Sequence, residues 1–143
     1  MSNTKKLSSQ SGLEIGSKLP ALTFKNFNGE NIALNSYTTP LLFIFVSLHC
    51  EHCVDLLPHI DVFKNKCNII LFSNGDAEDH NEMQEYFQWN FPLISLSISE
   101  MKKIFEVEFL PFANIYDINH RLISKGVVYN ESDLKFLIES KQV

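Results

Sequence analysis

Apolar positions along the chain fall into three patterns, and each predicts a kind of element. The first is the uniform run. "LLFIFVS", Leu41 to Ser47, has no polar alternate and so no wet face, which predicts a central strand covered on both sides. "NIILFSNGD" predicts a second buried strand ending in a turn. The second pattern is the stripe. Val54, Leu57, Ile60 and Phe63 recur every three residues within residues 51 to 65, the signature of a helix with one buried face. Pro58 should kink that helix, because it lacks the N–H that would bond the Val54 carbonyl. "AEDHNEMQEYFQW" predicts an amphipathic helix with acids in its first turn, "SEMKKIFEV" a short helix capped by Ser99, and "ESDLKFLIESK" a closing helix. The third pattern is the short run between turn residues. "ALTFKNF" and "ENIAL" flank Asn28-Gly29, a hairpin signal because both turn positions tolerate positive φ. "FPLIS" reads as a short extended piece, and "FANIYDI" with "LISKGVVY" as a second hairpin around "NHR".

Strands alternating with helices predict an α/β sandwich, with crossovers making parallel pairs and the late hairpin adding antiparallel edges. Residues 1 to 14 are polar and rich in Ser and Lys, and read as a flexible segment ahead of one domain over residues 15–143. Composition changes little: 45% apolar and 20% charged residues are ordinary for a globular chain, and twelve phenylalanines against one tryptophan promise a well-filled core. A net charge of −5 with no basic stripe argues against nucleic acid as a partner. The longest apolar run, "PLLFIFVSL", is far short of the ~20 residues that span a bilayer. No apolar stretch follows Lys5 and Lys6 as a secretory signal would require. The reading is a cytoplasmic monomer with no transmembrane segment, the cell envelope being the alternative if an N-terminal anchor or signal has been removed.

The candidate chemistry lies where the central strand ends, in "LLFIFVSLHCEHCVDLLP". Cys50 closes the loop after the strand and Cys53 lies one turn into the next helix. Residues i and i+3 share a helix face, within reach of the ~5.5 Å Cα separation that a disulfide needs. At a helix N-terminus, free backbone N–H groups and the positive dipole end favour thiolate over thiol, and thiolate is the species that attacks disulfides. Metal binding and plain packing compete with redox chemistry. A zinc site needs about four N or S ligands. Only one close pair of cysteines exists, and His49 and His52 adjoin it too tightly to close a tetrahedron easily. The arrangement therefore favours redox chemistry without a metal or bound cofactor. Cys67 reads as a small buried hydrophobe, and His59 and His80 as surface residues.

At these residues the chain resembles thioredoxin-like proteins of the TlpA/redoxin type. "IGSKLPALTFKNFNGENIAL" looks like that family's entry hairpin and "FVSLHCEHC" like its strand and C-x-x-C motif, with Pro58 at its helix-kinking proline. "FLPFANIYDINHRLISKG" looks like its "TP-T-FLID-x-G-x-I" segment, which makes Pro111 the counterpart of its cis-proline. The resemblance implies a thioredoxin-like three-layer α/β sandwich, a central mixed β-sheet flanked by helices with an N-terminal β-hairpin. It also implies thiol–disulfide exchange with protein dithiol and disulfide substrates and an upstream electron donor or acceptor. Cys50 would attack and Cys53 resolve, while Leu110 and Pro111 would hold an extended substrate segment. The chain departs from the pattern in places. His49 stands where a tryptophan is usual, Leu56 where one branch carries an acid, and the central strand lacks thioredoxin's buried acid. Peroxiredoxins share the fold but resemble P-x3-T-x2-C, and counting back from Cys50 gives Ser47 and Phe43.

Between the cysteines, Glu51 and His52 act in opposite senses: a like charge disfavours the Cys50 thiolate, and a cationic or hydrogen-bonding His52 favours it. His52 resembles the oxidising C-P-H-C type, and Glu51 resembles reducing members. His49 completes the redox-tuning set as a proton relay or a cap over the sulfurs. The function this predicts is a thiol–disulfide oxidoreductase. The alternatives are a non-catalytic binding or chaperone module of the same fold, a thiol peroxidase and a metal carrier.

Overall fold

The computed structural model describes residues 11–38 and 40–140. In chain order the elements are β1 (Thr23–Lys25), β2 (Asn31–Ala33), β3 (Leu41–Val46), α1 (Glu51–Leu56), β4 (Asn68–Ser73), α2 (Ala77–Phe87), β5 (Leu93–Ser95), α3 (Ile98–Phe105), β6 (Phe112–Tyr116), β7 (Leu122–Val127) and α4 (Glu131–Glu139). The uniform apolar run is the middle strand of a five-stranded sheet ordered β5-β4-β3-β6-β7, and all six of its residues are fully buried. β3 pairs in parallel with β4, and β4 with β5. β6 and β7 join antiparallel, as the late hairpin predicts.

Alternate residues of β3 serve two cores, because successive strand side chains point to opposite faces. Leu42, Ile44 and Val46 pack with Cys53 and Leu56 of α1, Met83 of α2, and Leu134 and Leu137 of α4. Leu41, Phe43 and Phe45 pack with Met101 and Phe105 of α3 and with Ile32 and Phe24 of the N-terminal hairpin. The second core is aromatic. Phe43, Phe45, Phe72 and Phe105 meet pairwise at ring-centroid distances of 4.9 to 6.5 Å. Helices, mixed sheet, and hairpin with helix make the three layers.

Several local expectations need correction. Residues 1–10 of the predicted flexible segment lie outside the described residues, but its end is packed: Ser11 is fully buried and the Gly12 N–H donates to the Glu106 carbonyl at 2.7 Å. A Cβ on Gly12 would stand 2.8 Å from the Phe112 ring, and its φ of +86° suits glycine. The first hairpin turns over residues 26–30 rather than on Asn28-Gly29 alone, because Asn26 Oδ1 accepts from both Asn28 N–H and Glu30 N–H. The predicted helix over 51–65 ends at Leu56 and continues as two 3₁₀ turns, Leu57–His59 and Asp61–Phe63. The Leu57 N–H takes the Val54 carbonyl that Pro58 cannot, which tightens the turn, and Val54 of the predicted stripe is exposed. α3 is capped by Ser97, not Ser99. His80 is fully buried, its Nε2 sharing a 3.0 Å hydrogen bond with Ser73 Oγ.

Candidate active site

β3 and β4 run in parallel and end side by side, Val46 opposite Ser73, so the loops that leave them meet. Ser47, buried just beyond β3, begins the loop that leads to the cysteines. Its carbonyl accepts the Cys50 N–H at 3.1 Å, which folds the chain back into α1. Cys50 is the residue that starts α1, its backbone still extended at φ −104° and ψ 120°, and its carbonyl accepts the Val54 N–H at 3.0 Å. One turn on, Cys53 faces the first core and is fully buried. Cys50 is half-buried, and the two cysteines lie 3.0 Å apart as free thiols.

The surroundings differentiate the two sulfurs. Burial, followed by the hydrogen bond with Cys50, pushes the Cys53 thiol up to about 12. Charge on Cys50 acts in the same direction, and a backbone hydrogen bond with Ser47 acts against it. The Cys50 thiol donates to the Leu110 carbonyl over 4.0 Å, and the Leu110–Pro111 peptide is cis. An apolar cavity of about 140 Å³ adjoins Leu110, lined by Ile98, Met101 and Val107, with Lys102 and Glu108 paired at 3.6 Å among its lining residues.

The predicted residues are thus only partly gathered. Cys50, Cys53, Leu110 and Pro111 meet. His52 is exposed, and its ring meets Tyr129 edge-on at 5.0 Å. His49 and Glu51 are exposed, and among the described residues neither side chain hydrogen-bonds a cysteine. Cys67 lies just before β4, at the other end of the parallel pair from the loop that carries Cys50. Burial pushes its thiol up to about 11. His59 is exposed, as expected, and pairs with Glu131 at 3.7 Å. Sequence reasoning missed Asn74 and Tyr129. Asn74-Gly75 reads as a turn and nothing more, and Tyr129 falls after the last strand with no motif around it. Among the described residues no group of three His, Cys, Asp or Glu is placed to hold a metal ion, and no helix is long and apolar enough to cross a membrane.

No protein-family model and no curated protein matches the chain. Solved structures do. A thiol:disulfide interchange protein from a Bacteroides species is 21% identical, with 87% of this chain and 88% of that chain covered and a TM-score of 0.68. A secreted Mycobacterium tuberculosis disulfide oxidoreductase is 12% identical over 82% of this chain and 94% of its own, with a TM-score of 0.69. A peroxidoxin from the same organism is 11% identical over 88% and 94%, with a TM-score of 0.73. The fold is thioredoxin-like. Identities this low speak for architecture alone. Within the thioredoxin-like frame, what separates one chemistry from another is the set of side chains around the C-x-x-C pair.

Proposed function

We propose that the chain is a thiol–disulfide oxidoreductase that exchanges electrons with protein partners through Cys50 and Cys53. The observation that carries this reading is the 3.0 Å approach of a half-buried cysteine to a fully buried one. In the reducing direction the Cys50 thiolate attacks one sulfur of a substrate disulfide, and the other leaves as a thiolate and is protonated. Cys53 then gives up its proton and attacks the Cys50 sulfur of the mixed disulfide, expelling the second substrate thiolate. Two electrons pass to the substrate and one disulfide remains on the chain; the reverse sequence oxidises a substrate dithiol. Part of what holds the Cys53 proton is its hydrogen bond to Cys50 and the charge there. Both vanish once Cys50 is bonded to substrate, so Cys53 ionises more readily at the step that needs it.

The Leu110 carbonyl, beside the Cys50 thiol and at the cis bond to Pro111, accepts a hydrogen bond from an extended substrate backbone in this reading. The neighbouring cavity suits an apolar side chain of that segment. Glu51 and His52 set the potential in opposite senses, and the His52 ring has the Tyr129 ring as its neighbour at 5.0 Å. Ser47 and Phe43 stand where a peroxidase signature places Thr and Pro, which supports disulfide exchange over peroxide reduction. The compartment is the cytoplasm on the sequence reading; the secreted oxidoreductase of similar fold favours the cell envelope as the second one. Replacing Cys53 by Ala tests the mechanism: partner proteins should accumulate as mixed disulfides on Cys50, released by dithiothreitol. Recovery of none, with the wild-type chain also failing to speed insulin reduction, would remove the reading.

One observation favours a second reading, a binding or chaperone module. Cys53 is surrounded by apolar side chains and its thiol is held at about 12, with no carboxylate among the causes of that shift. An insulin-reduction rate at the dithiothreitol background, together with retained partner binding by the Cys50→Ser chain, would select the module.

A further inference from the structure

The loop that carries Cys50 is held by a residue outside the cysteine motif. Asn74, the first residue after β4, uses both ends of its amide. Its Oδ1 accepts the Leu48 N–H at 2.8 Å and its Nδ2 donates to Ser47 Oγ at 3.1 Å. The same Ser47 Oγ accepts the His49 N–H at 3.2 Å. One amide and one hydroxyl therefore fix the three residues that precede Cys50. Ser47 in turn reaches both cysteines, through its carbonyl to the Cys50 N–H and through its backbone to Cys53. The turn behind Asn74 is anchored as well: Ser73 Oγ accepts the Gly75 N–H at 2.9 Å and shares its other hydrogen bond with buried His80. A Cβ on Gly75 would stand 2.7 Å from Leu48 Cδ1, so the turn and the cysteine loop are in direct contact.

We propose that Asn74 is a positioning residue for the cysteine pair: acting through Ser47 and Leu48, it sets the approach of Cys50 to Cys53 and with it the equilibrium between dithiol and disulfide. This rests on the disulfide-exchange reading above. When glutathione disulfide oxidises the pair, the two thiols lose two protons and two electrons and form one S–S bond. The glutathione disulfide is reduced to two glutathione thiols. Closing that bond is favourable in proportion to how well the sulfurs are already held together, since reacting groups kept in contact need surrender little further freedom. Without the Asn74 amide, the Leu48 N–H loses its acceptor, the Ser47 hydroxyl keeps only the His49 N–H, and the loop before Cys50 samples more positions. The dithiol then becomes the relatively favoured form.

The test measures the dithiol–disulfide equilibrium constant in a glutathione buffer series, alongside urea unfolding, for the wild-type chain, Asn74→Ala, Ser47→Ala and the double variant. Asn74→Ala should lower the constant about tenfold, equivalent to ~30 mV for this two-electron couple. Ser47→Ala should move it in the same direction, and the double variant should fall short of the two effects combined, because both single changes remove the Asn74–Ser47 hydrogen bond. A role confined to stability would lower the urea midpoint and leave the constant alone. If Asn74→Ala does not fold, Ser47→Ala removes the same bond from the other side and decides the matter. Constants within twofold of wild type in the folded variants, or effects that simply add, overturn the positioning role. A wild-type chain that forms no Cys50–Cys53 disulfide at any glutathione ratio overturns the exchange reading and the positioning role together.

Discussion

Cys53 and His80 sit in surroundings that oppose their charged forms, and they do so from opposite ends of the pH scale. Burial holds the Cys53 thiol at about 12 and the Cys67 thiol at about 11, against 9 for a free thiol. Between pH 9 and those values the unfolded chain has lost protons that the folded chain keeps. The stability the thiols contribute is therefore whole below 9 and is lost as pH rises through 11 and 12. Burial lowers His80 from 6.5, with Asp79 and Asp76 opposing that shift. Its contribution is whole above 6.5 and is lost as pH falls through the lower folded value, because the unfolded chain then binds a proton that the folded one refuses. Urea midpoints of the reduced protein between pH 5 and 11 should fall on both flanks. The alkaline fall should be shallower in Cys67→Val, and an unchanged alkaline slope in that variant would contradict the burial argument.

Element by element, the chain is legible where one face or one motif decides. The uniform run at Leu41–Val46 has only one place to go in a sandwich, and the spacing of Cys50 and Cys53 is local in sequence, so both could be read directly. The stripe failed at Val54 alone: α1 buries Cys53 and Leu56, and the three-residue step that keeps Leu57, Ile60 and Phe63 buried belongs to the 3₁₀ turns beyond it. Pro58 removes an N–H, the Leu57 N–H takes the freed carbonyl, and the phase of the face resets. Asn74 was invisible for a different reason: its hydrogen-bond partners lie 26 and 27 residues away, and nothing in a turn dipeptide announces them. The α3 cap is read too late from sequence because Ser97 and Ser99 both stand close before Glu100. In the structure Ser97 Oγ accepts the Glu100 N–H at 3.0 Å while Glu100 Oε1 accepts the Ser97 N–H at 2.8 Å, a reciprocal box that Ser99 has no part in. Ser97→Ala should therefore cost about 1 kcal/mol in urea unfolding. Ser99→Ala, one turn position inside the helix, should change stability by no more than a few tenths of a kcal/mol or raise it slightly, since Ala is the better helix former. Equal losses from the two variants would return the cap to Ser99.

At the scale of the whole molecule, one sheet separates two cores, and the reactive pair belongs to only one of them. Cys53 and the apolar side of α1 pack with Leu42, Ile44 and Val46, whereas Phe43, Phe45, Phe72 and Phe105 lie on the opposite face. The aromatic side carries much of the stability, since each of those rings is fully buried and meets the other three. Phe72→Ala removes the ring that stacks on Phe45 at 4.9 Å and should cost about 3–5 kcal/mol of unfolding free energy. Its backbone pairing with Phe45 and Ile94 is untouched by the change, so the strand ends that carry Ser47 and Asn74 keep their places. The glutathione equilibrium of the folded variant should then stay within twofold of wild type despite the large loss of stability. A tenfold shift would mean that the cavity on the far face deforms the sheet itself, and that Cys50 and Cys53 depend on both cores rather than on one.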